Sequence, residues 1–157
     1  MHNIHPIFVH FPLALLFAAL AFDIAAVVFK RAAWHEVAFW NLVLATAAAA
    51  LAVWTGLQAE ATAAHPESAH EIIELHEKLG IATLVLSAFI TLCRITWWKR
   101  FAGLKKALVL ALMLLAASTV GFGAYLGGRL VFEFGVGGDF GHAHQDEAAE
   151  HHHHHPD

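Results

Sequence analysis

The stretch IFVHFPLALLFAALAFDIAAVVF, residues 7–29, decides the fold, because Asp23 is its only acidic or basic residue apart from one histidine. A helix of this length rises about 34 Å at about 1.5 Å per residue, which is enough to cross the hydrocarbon core of a bilayer. No Lys or Arg precedes the stretch, and it is too long for the apolar region of a signal peptide. It therefore predicts a retained transmembrane helix.

Three further apolar runs follow, at residues 37–57, 79–98 and 107–132. The chain as a whole is 59% hydrophobic and 14% charged, whereas soluble domains are about 45–50% apolar. This composition predicts an all-α integral membrane protein, a four-helix bundle. We expect one transmembrane domain over residues 1–138 and a disordered, His-rich acidic tail over residues 139–157.

The basic residues predict the orientation of the bundle. Most of them lie in two short loops, one at Lys30 and Arg31 and the other at residues 99–106. Because cytoplasmic loops are enriched in Lys and Arg, both loops are predicted to be cytoplasmic. Both termini and the loop 58–78 are then extracytoplasmic. Within that loop, the residues after Pro66 predict a short helix that runs into the third span.

Several classes of function are not indicated. The chain has no basic stripe with interleaved aromatic residues, so a nucleic-acid partner is not expected. The single cysteine, Cys93, excludes an internal disulfide and a covalently attached c-type haem. The sequence contains no Ser/His/Asp set and no phosphate-binding Gly loop with the expected spacing. An electron carrier or a binding protein is therefore favoured over an enzyme.

The histidines are the main functional signal. Of the fourteen, only His35 belongs to the predicted cytoplasmic side. His10 lies about 30 Å along its helix from Lys30, and His76 about 34 Å from Lys99, so the two are expected at similar depth near the outer face. Neutral imidazoles on facing helices are typical ligands of non-covalent haem b. A bare metal ion, or simple capping of the bundle, are the alternatives.

Two pairs of charged residues belong to the helices. Arg129 and Glu133 are four residues apart and are expected to form a surface pair, or Arg129 holds a haem propionate. Asp23 and Arg94 lie in the same half of the membrane and are expected to pair. For Asp23 and Arg94, a purely structural ion pair is favoured over a proton relay.

A second reading of the histidines is copper or zinc handling. One Glu-x-x-His spacing and the His-rich tail offer metal ligands, although a solvated acidic face and a role in helix entry explain the residues before the tail equally simply. The candidate ligands are His5, His65, Glu67, His70, His142, His144, His151, His152, His153, His154 and His155.

The partners expected for a haem protein are a quinone or an extracytoplasmic redox protein, in addition to membrane lipid. The Gly123-x-x-x-Gly127 spacing in the fourth run lets backbones approach closely, so it favours tight packing and a homodimer through that helix. A third hypothesis is a non-catalytic subunit that packs through the same glycines into a larger complex.

Several segments resemble one family of bacterial predicted membrane proteins. They are HPIFVHFPL at residues 5–13, Asp23, TGL at residues 55–57, His76, and YLGGRLVFEFGVG at residues 125–137. With these segments the chain is similar to the family known as domain of unknown function 2231. The resemblance implies a four-helix protein of the bacterial inner membrane and supplies no activity. His10 and His76 belong to the similar segments, and the tail does not.

Overall fold

The computed structural model describes residues 5–62, 67–98 and 102–136. All regular structure in these residues is helical. Five α-helices follow one another, with one 3₁₀ turn, Glu67–Ala69, leading into the fourth. The helices are α1 (His5–Phe8), α2 (His10–Val28), α3 (Ala32–Thr62), α4 (His70–Trp97) and α5 (Leu104–Phe132). The predicted tail lies outside the described residues.

Helices α2 to α5 are each long and apolar enough to cross a membrane, which confirms the predicted four-helix bundle. Only 28% to 33% of each apolar window is buried inside the protein. The remaining faces carry large apolar side chains such as Phe17, Val85 and Leu114. Because so much apolar surface faces outward, the bundle is suited to contact lipid, and the protein is a multi-pass membrane protein.

The four long helices form a closed ring. Helix α2 packs against α3 and α5, and α4 packs against the same two helices from the opposite side. Small side chains fill much of the interior, which allows close helix approach. The buried core consists of Leu16, Ala19, Leu20, Leu42, Ala45, Ile90, Val109, Met113, Ala116 and Ala117.

The first apolar run is two helices rather than one. Helix α1 ends at Phe8 and α2 begins at His10, with Val9 between them. Pro12 has no N–H to donate to the Phe8 carbonyl, so the helical hydrogen-bond ladder is interrupted there. The interruption places His5 on a separate turn that packs against α2 and α3.

Short turns set the two ends of the bundle. Between α2 and α3, Lys30 adopts a positive φ of 53° and the Arg31 N–H donates to the Ala26 carbonyl at 3.1 Å, which closes the end of α2. We call this end the basic end, since it carries Lys30, Arg31, Lys105 and Lys106. The opposite end, which carries His5 and His76, is the histidine end. The helix predicted after Pro66 is continuous with the third span, as α4 runs unbroken from His70.

Candidate functional site

His5 is fixed at the histidine end through its ring nitrogen Nδ1, which lies 3.1 Å from Thr55 Oγ1. The Thr55 hydroxyl itself donates to the carbonyls of Leu51 and Ala52, at 2.9 and 3.1 Å. Its oxygen therefore accepts the proton of Nδ1–H. In this tautomer the neutral ring carries its lone pair on Nε2, the atom that commonly binds a metal.

The surroundings of His5 favour its neutral form. Burial lowers the pKa of the imidazole below its ordinary value, and the neighbouring His76 lowers that pKa further. A hydrogen bond with the Ala52 backbone acts in the opposite direction and is the smaller effect. Since a metal binds the neutral imidazole, these surroundings suit His5 to ligate a metal rather than to carry a positive charge.

His76 is fixed from the other side of the bundle. Its Nδ1 lies 2.8 Å from the carbonyl oxygen of Gly123 in α5. A carbonyl can only accept a hydrogen bond, so Nδ1 carries a proton, and in the neutral ring Nε2 carries the lone pair. A ring N–H donated to a backbone carbonyl is the arrangement that typically orients a metal-ligating histidine. His5 and His76 thus share one tautomer.

The two imidazoles meet inside the bundle. Their ring centroids are 6.2 Å apart and their planes are inclined by 87°. Two imidazoles bound on opposite sides of a metal, with metal–nitrogen bonds of about 2.0–2.1 Å, have ring centroids roughly 6 Å apart. The centroid separation of the pair is therefore compatible with a shared metal.

Glycines make room for both rings. A Cβ added at Gly56 would lie 3.0 Å from Cε1 of His5, and one added at Gly127 would lie 3.1 Å from Cε1 of His76. Ordinary van der Waals contacts of a Cβ lie at 3.4–4 Å. At Gly128, the next residue, an added Cβ would meet no atom within 4 Å. The absence of a side chain therefore matters at the two positions that face the histidines.

A cavity of about 490 Å³ adjoins the histidine pair and is lined by all five helices. This volume is within the range of about 300–1,000 Å³ that is usual for ligand and cofactor sites. Apart from the histidines, Glu77 and two threonines, its walls are mostly apolar. The wall residues include Leu13, Val53, Leu79, Val120 and Val131. We call the cavity and the histidine pair together the histidine site.

The structure distributes the three predicted cofactor residues differently. His76 belongs to the pair, whereas His10 lines the same cavity with an exposed side chain. Arg129 is engaged by Glu133 in a two-pronged ion pair, with Nε and Nη2 at 2.6–2.9 Å from its carboxylate oxygens. The expected surface pair is confirmed, and a role of Arg129 toward a propionate stays a prediction.

The predicted metal ligands are spread apart or lie outside the description. Among residues 5–62, 67–98 and 102–136, no three His, Cys, Asp or Glu side chains lie close enough to hold a metal ion. His5 belongs to the pair above, and His70 is exposed at the start of α4. The other predicted ligands, His65, the Glu67 side chain and the tail histidines, are not described, so that metal site stays a prediction.

A second polar cluster lies near the basic end and consists of Asp23, His35 and Arg94. Arg94 Nη1 donates to Asp23 Oδ2, and His35 Nδ1 lies 2.7 Å from Asp23 Oδ1. Arg94 Nη2 also donates to the His35 carbonyl at 2.6 Å, and its guanidinium lies 5.9 Å from the centre of the Phe39 ring. The predicted Asp23–Arg94 pair is confirmed, and we call the three residues the ion cluster.

Two of these partners have only weak signals in the sequence. His35 follows Asp23 by 12 residues across a tight turn, so a helical hairpin brings them together, but no motif marks that contact. Likewise Thr55 and Gly56 lie on α3 opposite His5. The Thr55 hydroxyl beside Gly56 would indicate a ring packed there only if the sequence also showed that α1 is a separate turn.

Four apolar helices that enclose a buried ion cluster at one end, with a histidine-lined cavity at the other, define a polytopic membrane protein with a candidate cofactor site. The chain belongs to the family described as predicted membrane protein (DUF2231), whose family model matches residues 1–139. No curated protein and no solved structure matches it.

Proposed function

We propose that the protein is a small b-type haem protein that carries electrons at the membrane, in which His5 and His76 would hold the haem iron. The observation that carries the proposal is the histidine pair itself. Its 6.2 Å centroid separation is compatible with two imidazoles that would bind one metal. Both Nδ1 atoms are also anchored, to Thr55 and to the Gly123 carbonyl.

The cavity supports a large apolar cofactor over a bare ion. A bare zinc or copper ion usually takes three or more protein ligands, and the described residues do not offer a third His, Cys, Asp or Glu beside the pair. Haem needs only two from the protein, because its macrocycle fills the other positions. The apolar walls of the 490 Å³ cavity fit a hydrophobic macrocycle.

Each residue of the site then has a defined task. His5 and His76 bind the metal, while Thr55 and the Gly123 carbonyl hold the two rings in the required tautomer. Gly56 and Gly127 allow the rings to approach the helix backbones. The apolar walls exclude water. Haem, when bound, supplies one-electron transfer.

The proposed partners follow from the orientation. Because basic loops are usually cytoplasmic, the histidine end is proposed to face the outside of the inner membrane. A quinone in the lipid or an extracytoplasmic redox protein would then exchange electrons with the site. The homodimer through α5 stays a prediction.

The visible spectrum of the full-length protein, purified in detergent from haem-replete cells, tests the proposal. We expect a sharp Soret band with one haem per chain, which is lost in His5→Ala and in His76→Ala. His70→Ala is the matched control, because His70 is an exposed histidine on the same helix as His76. That variant and a chain shortened to residue 138 should keep the band.

Three results would contradict the proposal in different ways. Loss of the band in His10→Ala, with His5→Ala unaffected, would favour the pair predicted from helix depth. Absence of any Soret band would exclude the haem site. Stoichiometric copper or zinc that disappears with the tail would favour metal handling instead.

A further inference from the structure

The Lys and Arg residues of the chain fall into two groups that differ in their partners. Of the nine, six belong to the loops at residues 30–31 and 99–106, at the basic end. The other three each form an ion pair within the protein, and they are Lys78, Arg94 and Arg129. By contrast, none of the ion pairs among the described residues involves Lys30, Arg31 or Lys105. The positive charge of these three residues is therefore not cancelled inside the protein.

Acidic side chains are scarce in the helices that meet at the basic end. Residues 10–59 contain only two, Asp23 and Glu36, and residues 78–132 contain none. The Asp23 carboxylate is already bound by Arg94 and His35, which leaves the exposed Glu36 as the one acidic group of these ranges outside the ion cluster. The whole chain has a formal charge of -4 at pH 7, yet this end of it carries an excess of positive charge. Its surface is therefore complementary to an anion.

Tryptophan rings indicate the depth of the basic end in the membrane. Trp34 contacts the rings of Phe22 and Phe29, with centroids 6.2 and 5.4 Å apart. Trp98 contacts the ring of Phe39, with centroids 5.1 Å apart. Tryptophan is enriched where a membrane meets water, because its ring is apolar and its N–H is polar. These rings therefore place the basic end at the level of the lipid headgroups.

Lys105 is held at the same depth by one of these rings. Its Nζ lies 5.3 Å from the centre of the Trp97 ring, and Trp97 packs against the core of the bundle. The face of an aromatic ring attracts a cation, so the ammonium stays beside the protein instead of extending into water. The Lys105 side chain is half-exposed, and an ammonium has three N–H donors. An anion in the headgroup region can therefore reach it.

The anions available at this depth are the phosphate groups of the lipids. Their oxygens accept hydrogen bonds from ammonium and guanidinium groups. An acidic water-soluble protein could meet the exposed Lys30 and Arg31, but Lys105 lies against Trp97 at the membrane boundary, where lipid is the neighbour. Phosphatidylcholine carries its own cation and is neutral overall, whereas phosphatidylglycerol has a net negative charge. An excess of basic residues therefore favours the second lipid.

We propose that the basic end binds the headgroups of anionic phospholipids, with Lys105, Lys30 and Arg31 as the cations that contact the lipid phosphate. Three observations carry this proposal together: the uncancelled charge of these residues, the depth given by the tryptophan rings, and the position of Lys105 over Trp97. The lipid site lies at the opposite end of the bundle from the histidine site and does not use the proposed haem. Either proposal can therefore fail without the other.

Native mass spectrometry of the full-length protein, released from detergent micelles, tests the proposal. The protein is stripped of copurified lipid and mixed with equal amounts of phosphatidylglycerol and phosphatidylcholine that carry the same acyl chains. We expect the first lipid bound to be mainly phosphatidylglycerol. In Lys105→Gln the ratio of bound phosphatidylglycerol to phosphatidylcholine should fall about fivefold, because one basic residue near the headgroups is lost. In the triple variant Lys30→Gln, Arg31→Gln, Lys105→Gln the preference should disappear.

Lys78→Gln is the matched control, since it removes the same charge from an exposed lysine near the histidine end. Its lipid ratio should stay within about twofold of that of the unmodified protein, because the lost charge lies more than a Debye length from the basic end. Equal binding of the two lipids by the unmodified protein overturns the proposal, and this measurement needs no variant. Equal losses of preference in Lys105→Gln and Lys78→Gln also overturn it, because the preference would then follow the net charge of the protein. A preference that persists in the triple variant does the same.

Discussion

The two ends of the bundle use polar side chains in opposite ways. At the basic end, Asp23 and Arg94 are charged, almost fully buried and bonded to each other and to His35. At the histidine end, the rings of His5 and His76 are anchored through Nδ1 by uncharged groups and lie beside a cavity. One end therefore joins three helices through the ion cluster, whereas the other places two rings beside a cavity, where we propose that a ligand binds.

The difference between the two ends can be tested by substitution, and the largest effect is expected at Arg94. Arg94→Ala leaves the Asp23 carboxylate buried without its guanidinium, and loss of one partner of a buried pair costs about 3–5 kcal/mol in the free energy of unfolding. Reversible unfolding in mixed micelles measures the change. Arg129→Ala is the control, because its exposed pair with Glu133 should contribute no measurable stability. Equal losses in the two variants would contradict a structural role for the ion cluster.

A smaller effect, on binding rather than on stability, is expected from Gly127→Ala. The added Cβ would lie 3.1 Å from the His76 ring, so the ring must move by a few tenths of an ångström. Disturbing the orientation of a metal ligand typically weakens binding about tenfold or more. Haem titration of the purified protein measures this change.

The control for that variant is its neighbour. Gly128→Ala adds the same methyl group to the same helix, but into open space, so its haem affinity should match that of the unmodified protein. Equal affinities in the Gly127 and Gly128 variants would show that the position of the His76 ring does not matter for the ligand.

The smallest effect concerns pH at the histidine end. Since burial and His76 lower the pKa of His5 in the folded protein, the unfolded chain takes up this proton at higher pH. The free energy of unfolding should therefore fall as the pH decreases below about 6.5, the ordinary histidine value, toward the lower folded-state pKa. Above that pH, His5 no longer lowers the free energy of unfolding, because it is unprotonated in both the folded and the unfolded chain. The difference in unfolding free energy between the unmodified protein and His5→Gln, measured from pH 8 to pH 5, isolates it, and a difference that does not vary with pH would contradict this prediction.

The sequence predicted the four spans because long apolar runs leave few alternatives to membrane helices. It also predicted the Asp23–Arg94 pair, since an unpaired charge inside a membrane is unfavourable and two opposite charges in the same half of the membrane stabilise each other by pairing. The histidine pair was harder. Counting residues along one continuous helix placed His10 opposite His76, and that pair stays a prediction. The break at Val9 turns α1 onto α3 and brings the ring of His5 to His76 as well. That orientation depends on tertiary contacts with Thr55 and Gly56, which no local pattern encodes.

The position of Asp23 also has a consequence for the time order of assembly. Arg94 follows it by 71 residues, so at a synthesis rate of about 5–20 residues per second the carboxylate waits roughly 4 to 14 s for its guanidinium. An acidic residue inside a span is unfavourable during insertion, by up to about 2.5–3.5 kcal/mol at the centre of the span and less toward its ends. His35 follows after only 12 residues and already carries a hydrogen-bond donor. Within the hairpin of α2 and α3, His35 can therefore hydrogen-bond the Asp23 carboxylate before α4 enters the membrane and brings Arg94 to it.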